Sequence, residues 1–305
     1  MKHIIALIAL LALAAGCTQP IIKPADNGIR ISQFYADMPP ELESGRSFRL
    51  YIGIENVGET TASNVEARLY GVSWDEPEAK GFSELQPPNP RRGSPGGADI
   101  AYWQLAAPQL PEGITHTYNI IGRVYYDYST SAAASIPVIN EDEYNRRRLQ
   151  GISIGNALSV SSSSAPVKVE VTGSSPVIVR KEGGSEHVFY NFIFRNAGTG
   201  VPVTGNINGL IIGEIRILGD GASFGNCITG SAGSIQLSEN EQDGVLIRRG
   251  ESVTLPCEIV ISRSAWESKP LGTMTIVFDL KYRYYTDSEV AITVIGREPL
   301  SDSFP

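Results

Sequence analysis

The sequence predicts an all-β protein built as two tandem immunoglobulin-like β-sandwiches joined by a short helix and a Ser-rich linker. Three observations predict it. Several strand-length stretches alternate apolar and polar residues with a period of two, the pattern of a strand with one buried face. Thirty-one Gly and nineteen Pro break the 305-residue chain at turn-like positions, and little helical periodicity appears between them. Three landmarks also recur in the same order in the two halves of the chain. A single core rarely grows beyond about 250 to 300 residues, so the length suits two domains. The divisions are 1–16 as a signal peptide, 17–27 as a tether, 28–140 as the first sandwich, 141–165 as a helical and Ser-rich linker, 166–298 as the second sandwich and 299–305 as a tail.

At the amino end, Lys2 and His3 precede Ile4 to Ala15, a run almost wholly of Ile, Leu and Ala. It has the length of a signal-peptide core and is too short to span a bilayer of roughly 30 Å. The following Leu13-Ala14-Ala15-Gly16-Cys17 resembles the lipobox of bacterial and archaeal lipoproteins. That resemblance implies cleavage after Gly16 and acylation of Cys17, which would hold the protein at the outer face of the cell membrane or cell surface. Thr18 to Asn27, with Pro20 and Pro24, reads as an extended tether. With Cys17 set aside, only Cys227 and Cys257 remain, and in an exported chain they read as one disulfide or as two buried thiols.

The first landmark is Ile29-Arg30-Ile31 followed by Pro39-Pro40, matched by Val167-Lys168-Val169 followed by Pro176. The second is a strand: Phe48, Leu50, Ile52 and Ile54 alternate with polar neighbours and stop at Asn56-Val57-Gly58. Val188, Tyr190, Phe192 and Phe194 do the same and stop at Asn196-Ala197-Gly198. Asn followed two residues later by Gly suits a turn, because Asn bonds local backbone and Gly accepts positive φ. The third pairs Tyr125-Tyr126-Asp127-Tyr128-Ser129-Thr130 with Tyr282-Arg283-Tyr284-Tyr285-Thr286-Asp287, each followed by a further β-rich stretch, Ala134 to Ile139 and Val290 to Ile295. Each unit is therefore expected to close with a tyrosine-rich hairpin. Between the units, Asn140 to Gln150 reads as one helix and Ser159 to Ser164 as a flexible connector that leaves domain orientation variable.

The order Ser44-Gly45, Glu55-Asn56-Val57-Gly58 and Ala62-Ser63-Asn64-Val65-Glu66-Ala67-Arg68-Leu69-Tyr70 resembles the CARDB-type adhesion domains of bacterial and archaeal surface proteins. The resemblance covers roughly Ile29 to Tyr70. The second unit keeps Arg195-Asn196-Ala197-Gly198 and then departs into Gly- and Asn-rich sequence. What the resemblance implies is an immunoglobulin-like fold and a role in adhesion.

Charge and residue inventory narrow the function classes. A net charge of -8 is the wrong sign for nucleic acid, and Arg146-Arg147-Arg148 follows Glu141, Asp142 and Glu143 as a helix with internal ion pairs. Beyond His3, the histidines are only His116 and His187, and no Gly-x-Ser-x-Gly elbow or glycine-rich phosphate loop occurs. Neither Asp75, Glu76 and Glu78 nor Glu239, Glu241 and Asp243 follows a calcium-loop spacing. No cofactor or metal is expected. The tyrosine runs offer either core or an exposed stripe for carbohydrate or protein, and Trp74, Trp103 and Trp266 fall outside the clearest strands. The expectation is a non-enzymatic, lipid-anchored surface protein acting in adhesion, display or envelope scaffolding. Its partners would be the membrane through Cys17 and other envelope proteins or surface glycans. The alternatives are a filament subunit assembled by strand pairing and a solute-binding or enzyme-accessory lipoprotein.

Overall fold

The computed structural model describes residues 27–37, 41–153, 157–205, 207–227, 230–231, 233–239, 244–247 and 252–297. Cys17, the leader, Glu241, Asp243 and the tail lie outside them. The first half contains β1 (Ile29–Ala36), β2 (Glu41–Glu43), β3 (Ser47–Asn56), β4 (Ser63–Tyr70), β5 (Lys80–Gly81), β6 (Ala98–Ala106) and β7 (Thr115–Asn140), followed by the helix α1 (Glu141–Gln150). The second half contains β8 (Ser159–Ser162), β9 (Val167–Gly173), β10 (Val177–Val179), β11 (Ser185–Asn196), β12 (Val201–Thr204), β13 (Ile207–Asn208), β14 (Leu210–Leu218), β15 (Ala222–Phe224), β16 (Gly230–Ser231), β17 (Ser234–Leu237), β18 (Val245–Leu246), β19 (Ser252–Ser262) and β20 (Leu271–Ile295). The all-β class and the sandwich layering read from the sequence are what the chain adopts.

Two small sheets, β1-β3-β6 and β15-β19-β11-β9, cover one face of a large sheet that runs through β17-β14-β20-β7-β4. The alternation in the sequence sets the covering. Phe48, Leu50, Ile52 and Ile54 of β3 point inward, as do Tyr190, Phe192 and Phe194 of β11. Phe34 and Ile52 pack over Gly122 of β7, where the missing side chain leaves them room. In the other half, Phe192 and Phe194 meet Phe278 of β20 edge-on, with ring centroids 5.1 and 6.2 Å apart.

The tyrosine segments do not form hairpins. β7 is 26 residues long and β20 is 25, and neither turns at its tyrosines. They pair antiparallel without a break from Leu271 opposite Ile139 to Ile295 opposite Thr115. A chain of strictly alternating burial, with every even residue from Ile120 to Val138 on the buried face, has no residue suited to a tight turn. Each long strand therefore pairs with strands of both halves of the chain. The parallel partners cross between the halves too: β2 of the first half lies along Thr293–Ile295 of β20, and β10 of the second lies along Val138–Asn140 of β7. One hydrophobic core cluster extends through both halves.

The segment between the halves also differs from expectation. Helix α1 forms as read, with Asn140 Oδ1 accepting from the Glu143 backbone N–H at 2.9 Å and Gly151 at φ 66° closing it. The Ser-rich stretch read as a flexible connector instead forms β8, which pairs with Ala132–Ser135 of β7. An exposed edge of β7 offers backbone groups there, and serine satisfies them without cost to packing.

The Asn-x-Gly turns recur as expected, for a partly different reason. Asn56 Oδ1 accepts from the Gly58 backbone N–H (3.1 Å) and from the Tyr128 hydroxyl (3.4 Å), and Nδ2 donates to the carbonyls of Thr60 and Leu85, both at 2.8 Å. Asn196 repeats this with Gly198, Tyr284 and Gly200 at 3.2, 2.8 and 2.8 Å. Neither Gly58 nor Gly198 has positive φ. Each is needed because a Cβ would stand 2.1 Å from the Tyr128 hydroxyl and 2.4 Å from the Tyr284 hydroxyl, respectively. The equivalence Tyr128 with Tyr284 also shifts the tyrosine alignment by one residue from the one drawn on sequence. In a strand, that shift exchanges the two faces.

Cys227 and Cys257 are joined by a disulfide with Cα atoms 4.7 Å apart, which ties the loop after β15 to β19. Such a bond belongs to proteins that mature in an oxidising, extracytoplasmic environment. No helix among the described residues is long and apolar enough to cross a membrane.

Candidate functional site

The uncovered face of the shared sheet carries a cluster of charged and aromatic side chains. On β7 and β20 the residues between the buried tyrosines read Arg123-x-Tyr125-x-Asp127 and Arg283-x-Tyr285-x-Asp287. Antiparallel pairing sets Arg123 opposite Asp287, Tyr125 opposite Tyr285 and Asp127 opposite Arg283. The two identical patterns are thus self-complementary: each arginine meets the other strand's aspartate.

Arg123 donates from Nε and Nη2 to the two Asp287 oxygens at 2.6 and 2.9 Å. Its guanidinium carbon sits 4.0 Å from the Tyr285 ring centroid and 5.0 Å from that of Tyr70. The Asp287 carboxylate holds its pKa above the ordinary arginine value against the opposing effect of burial. Arg283 donates to Asp127 at 3.1 Å and lies 3.5 Å from Glu66. Arg68, on β4, donates from Nε to Glu66 at 2.6 Å, and its guanidinium carbon lies 5.6 Å from the Tyr125 ring. The hydroxyls of Tyr70 and Tyr125 are 2.9 Å apart, and Asn64, at φ 49° in the β4 bulge, donates to Asp127 at 2.6 Å.

In the second half, the place of that bulge is taken by the excursion Thr204 to Gly209. Val203 opposite Arg283 corresponds to Ser63 opposite Asp127. The Gly- and Asn-rich sequence there carries the short β12–β13 pair, with Val203 opposite Asn208 and Thr204 opposite Ile207. Between it and β4 lies a cleft of about 420 Å³, lined by Arg68, Arg123, Tyr125, Val203, Gly205, Asn208, Arg283 and Tyr285. A neighbouring cleft of about 470 Å³ shares Gly205 and Arg283 and carries Ser63, Asp127, Ser129, Lys281 and Glu239 among its walls.

The structure sorts the remaining sequence candidates. Tyr126, Tyr128, Tyr282 and Tyr284 are core, whereas Tyr125 and Tyr285 reach the cleft. Trp103 and Trp266 are buried, and Trp74 packs on Tyr118 with its indole N–H on the Ala106 carbonyl at 2.8 Å. His187 pairs with Glu258 at 2.8 Å on an exposed strand face, and His116 stacks edge-on against Tyr118. Among the described residues, no three of His, Cys, Asp and Glu are gathered to hold a metal ion. Sequence reasoning missed the arginines because it looked for aromatic runs. The repeated Arg-x-Tyr-x-Asp spacing was the available signal.

The chain matches no protein-family model and no curated protein. Among solved structures it is similar to red sea bream transglutaminase, with 11% identity and a TM-score of 0.19, over 88% of this chain and 31% of that one.

Proposed function

We propose that the protein is a non-enzymatic surface protein, held at the membrane by lipid on Cys17 and acting in adhesion, display or envelope scaffolding through its immunoglobulin-like sandwiches. The observation that carries this reading is the continuous pairing of β7 with β20, which fixes the two halves to each other and offers one broad face for contact. A hinge between them would dissipate a pull on that face; a shared ladder transmits it to the tether. The disulfide and the CARDB-like order of Ser44 to Tyr70 support the same reading. Assembly by strand donation gains no support, because β7 and β20 already pair with each other within the chain. Intact-mass measurement of the native protein from membranes tests the proposal. A mass beginning at Cys17, increased by acyl chains and with one cystine, is expected, whereas a full-length cytosolic chain with free thiols overturns it.

A further inference from the structure

We infer that the arginine-lined cleft binds an acidic polysaccharide, gripping the carboxylate of a uronic-acid type sugar. The inference deepens the adhesion reading and rests on it for the source of the ligand. Three guanidiniums line this cleft and no carboxylate does. That is a strong local departure in a chain of net charge -8. Glu66, Asp127 and Asp287 bond the arginines without lining this cleft, and Arg68 engages Glu66 through Nε, with neither Nη group bonded to those acids among the described residues. Arginine matches a planar carboxylate through two parallel N–H bonds, which ammonium groups do not reproduce.

A bare anion would use only the arginines. The cleft also presents Tyr125 and Tyr285, 5.6 Å apart, and the apolar side chain of Val203. A tyrosine ring offers a face to sugar C–H groups and a hydroxyl to their oxygens. The volume of about 420 Å³ falls within the range of small-ligand sites. The adjoining cleft, with Ser63, Ser129, Asp127 and Lys281, supplies the alcohol and mixed-charge lining that neighbouring sugars of a chain would meet. The arginines are held before any ligand arrives: Arg123 by two bonds to Asp287 and the ring of Tyr285, Arg283 by Asp127. Little ordering cost is therefore left for binding. Counting the three acids bonded to them, the cluster is neutral, so affinity comes from directed hydrogen bonds and not from net charge.

Isothermal titration of the detergent-solubilised native protein with oligogalacturonate, neutral dextran, dextran sulfate and polyglutamate tests the inference. Oligogalacturonate is expected to bind at least tenfold more tightly than any other probe. Arg68→Gln is expected to weaken it by at least fivefold at unchanged melting temperature, with Arg68→Lys intermediate, and Tyr285→Ala is expected to weaken it by at least fivefold in a protein that still folds. Equal binding of neutral dextran, or tighter binding of dextran sulfate or polyglutamate, overturns it, as does a folded Arg68→Gln protein with undiminished affinity. A cytosolic protein that still binds oligogalacturonate would sink the surface reading alone. An acylated membrane protein that binds none of the probes would sink this inference alone.

Discussion

Asn56 and Asn196 sit at the two points where a strand end, a turn and a tyrosine hydroxyl meet, and each is buried, Asn56 with four hydrogen bonds to its amide and Asn196 with three. Removing the amide strands several buried polar groups at once, so Asn196→Ala is expected to cost about 2 to 4 kcal/mol in urea unfolding. Gly58→Ala is expected to cost about 2 to 3 kcal/mol, because its Cβ would meet the Tyr128 hydroxyl, the Ser164 carbonyl and the Gly28 nitrogen within 2.8 Å. Gly81→Ala, where nothing lies within 4 Å, is expected to be neutral within about 0.5 kcal/mol. A double-mutant cycle with Tyr128→Phe would show part of the Gly58 cost relieved. Asn-x-Gly was legible in the sequence as a turn. The tyrosine that makes glycine obligatory was not, since it arrives from a strand far along the chain, Tyr128 lying 72 residues after Asn56 and Tyr284 lying 88 after Asn196.

Helix α1 is held by a local charge pattern that sequence reading captures well. Bonds from Arg146 and Arg147 draw the Glu143 carboxyl down from the ordinary 4.5 to about 2. A depressed folded-state pKa contributes stability above the ordinary value that is lost as pH falls through about 2. Carbon-detected titration of Glu143 is expected to show that low midpoint, and Arg146→Ala and Arg147→Ala together to return it toward 4.5. The long strands taught the opposite lesson. Tyr125 to Thr130 and Ala134 to Ile139 were read as β-rich stretches of a hairpin, and nothing local distinguishes a ribbon that folds back from one that continues into its neighbour. Register is set by partners, and the self-complementary Arg-x-Tyr-x-Asp segments supply them. Arg123→Glu, facing Asp287, is expected to destabilise by about 2 to 3 kcal/mol, with Asp287→Arg restoring most of the loss. Recovery in the double variant is the measurement that separates a specific pair from general surface charge. The cleft was illegible for the same reason: Arg68, Arg123 and Arg283 come together only after β4, β7 and β20 pair.

At the scale of the whole molecule, two halves joined by the continuous β7–β20 ladder and one core are expected to unfold as one cooperative unit, despite a length at which domains usually separate. The cystine adds to this by closing 30 residues of the second half, a restriction of the unfolded chain worth about 3 to 4 kcal/mol. Reduction is therefore expected to lower the single transition rather than split it. The all-β class was readable because burial alternates locally; the way the halves interlock was not, because the pairing of β7 with β20 leaves each strand's own pattern unchanged. Amide hydrogen exchange across Tyr125–Tyr128 and Tyr282–Tyr285 tests the interlock most directly. The continuous β7–β20 ladder predicts that these amides exchange as slowly as those of Ile52 and Phe192 in the core, through global opening alone. Fast exchange confined to these segments, as two hairpin turns would give, would contradict it.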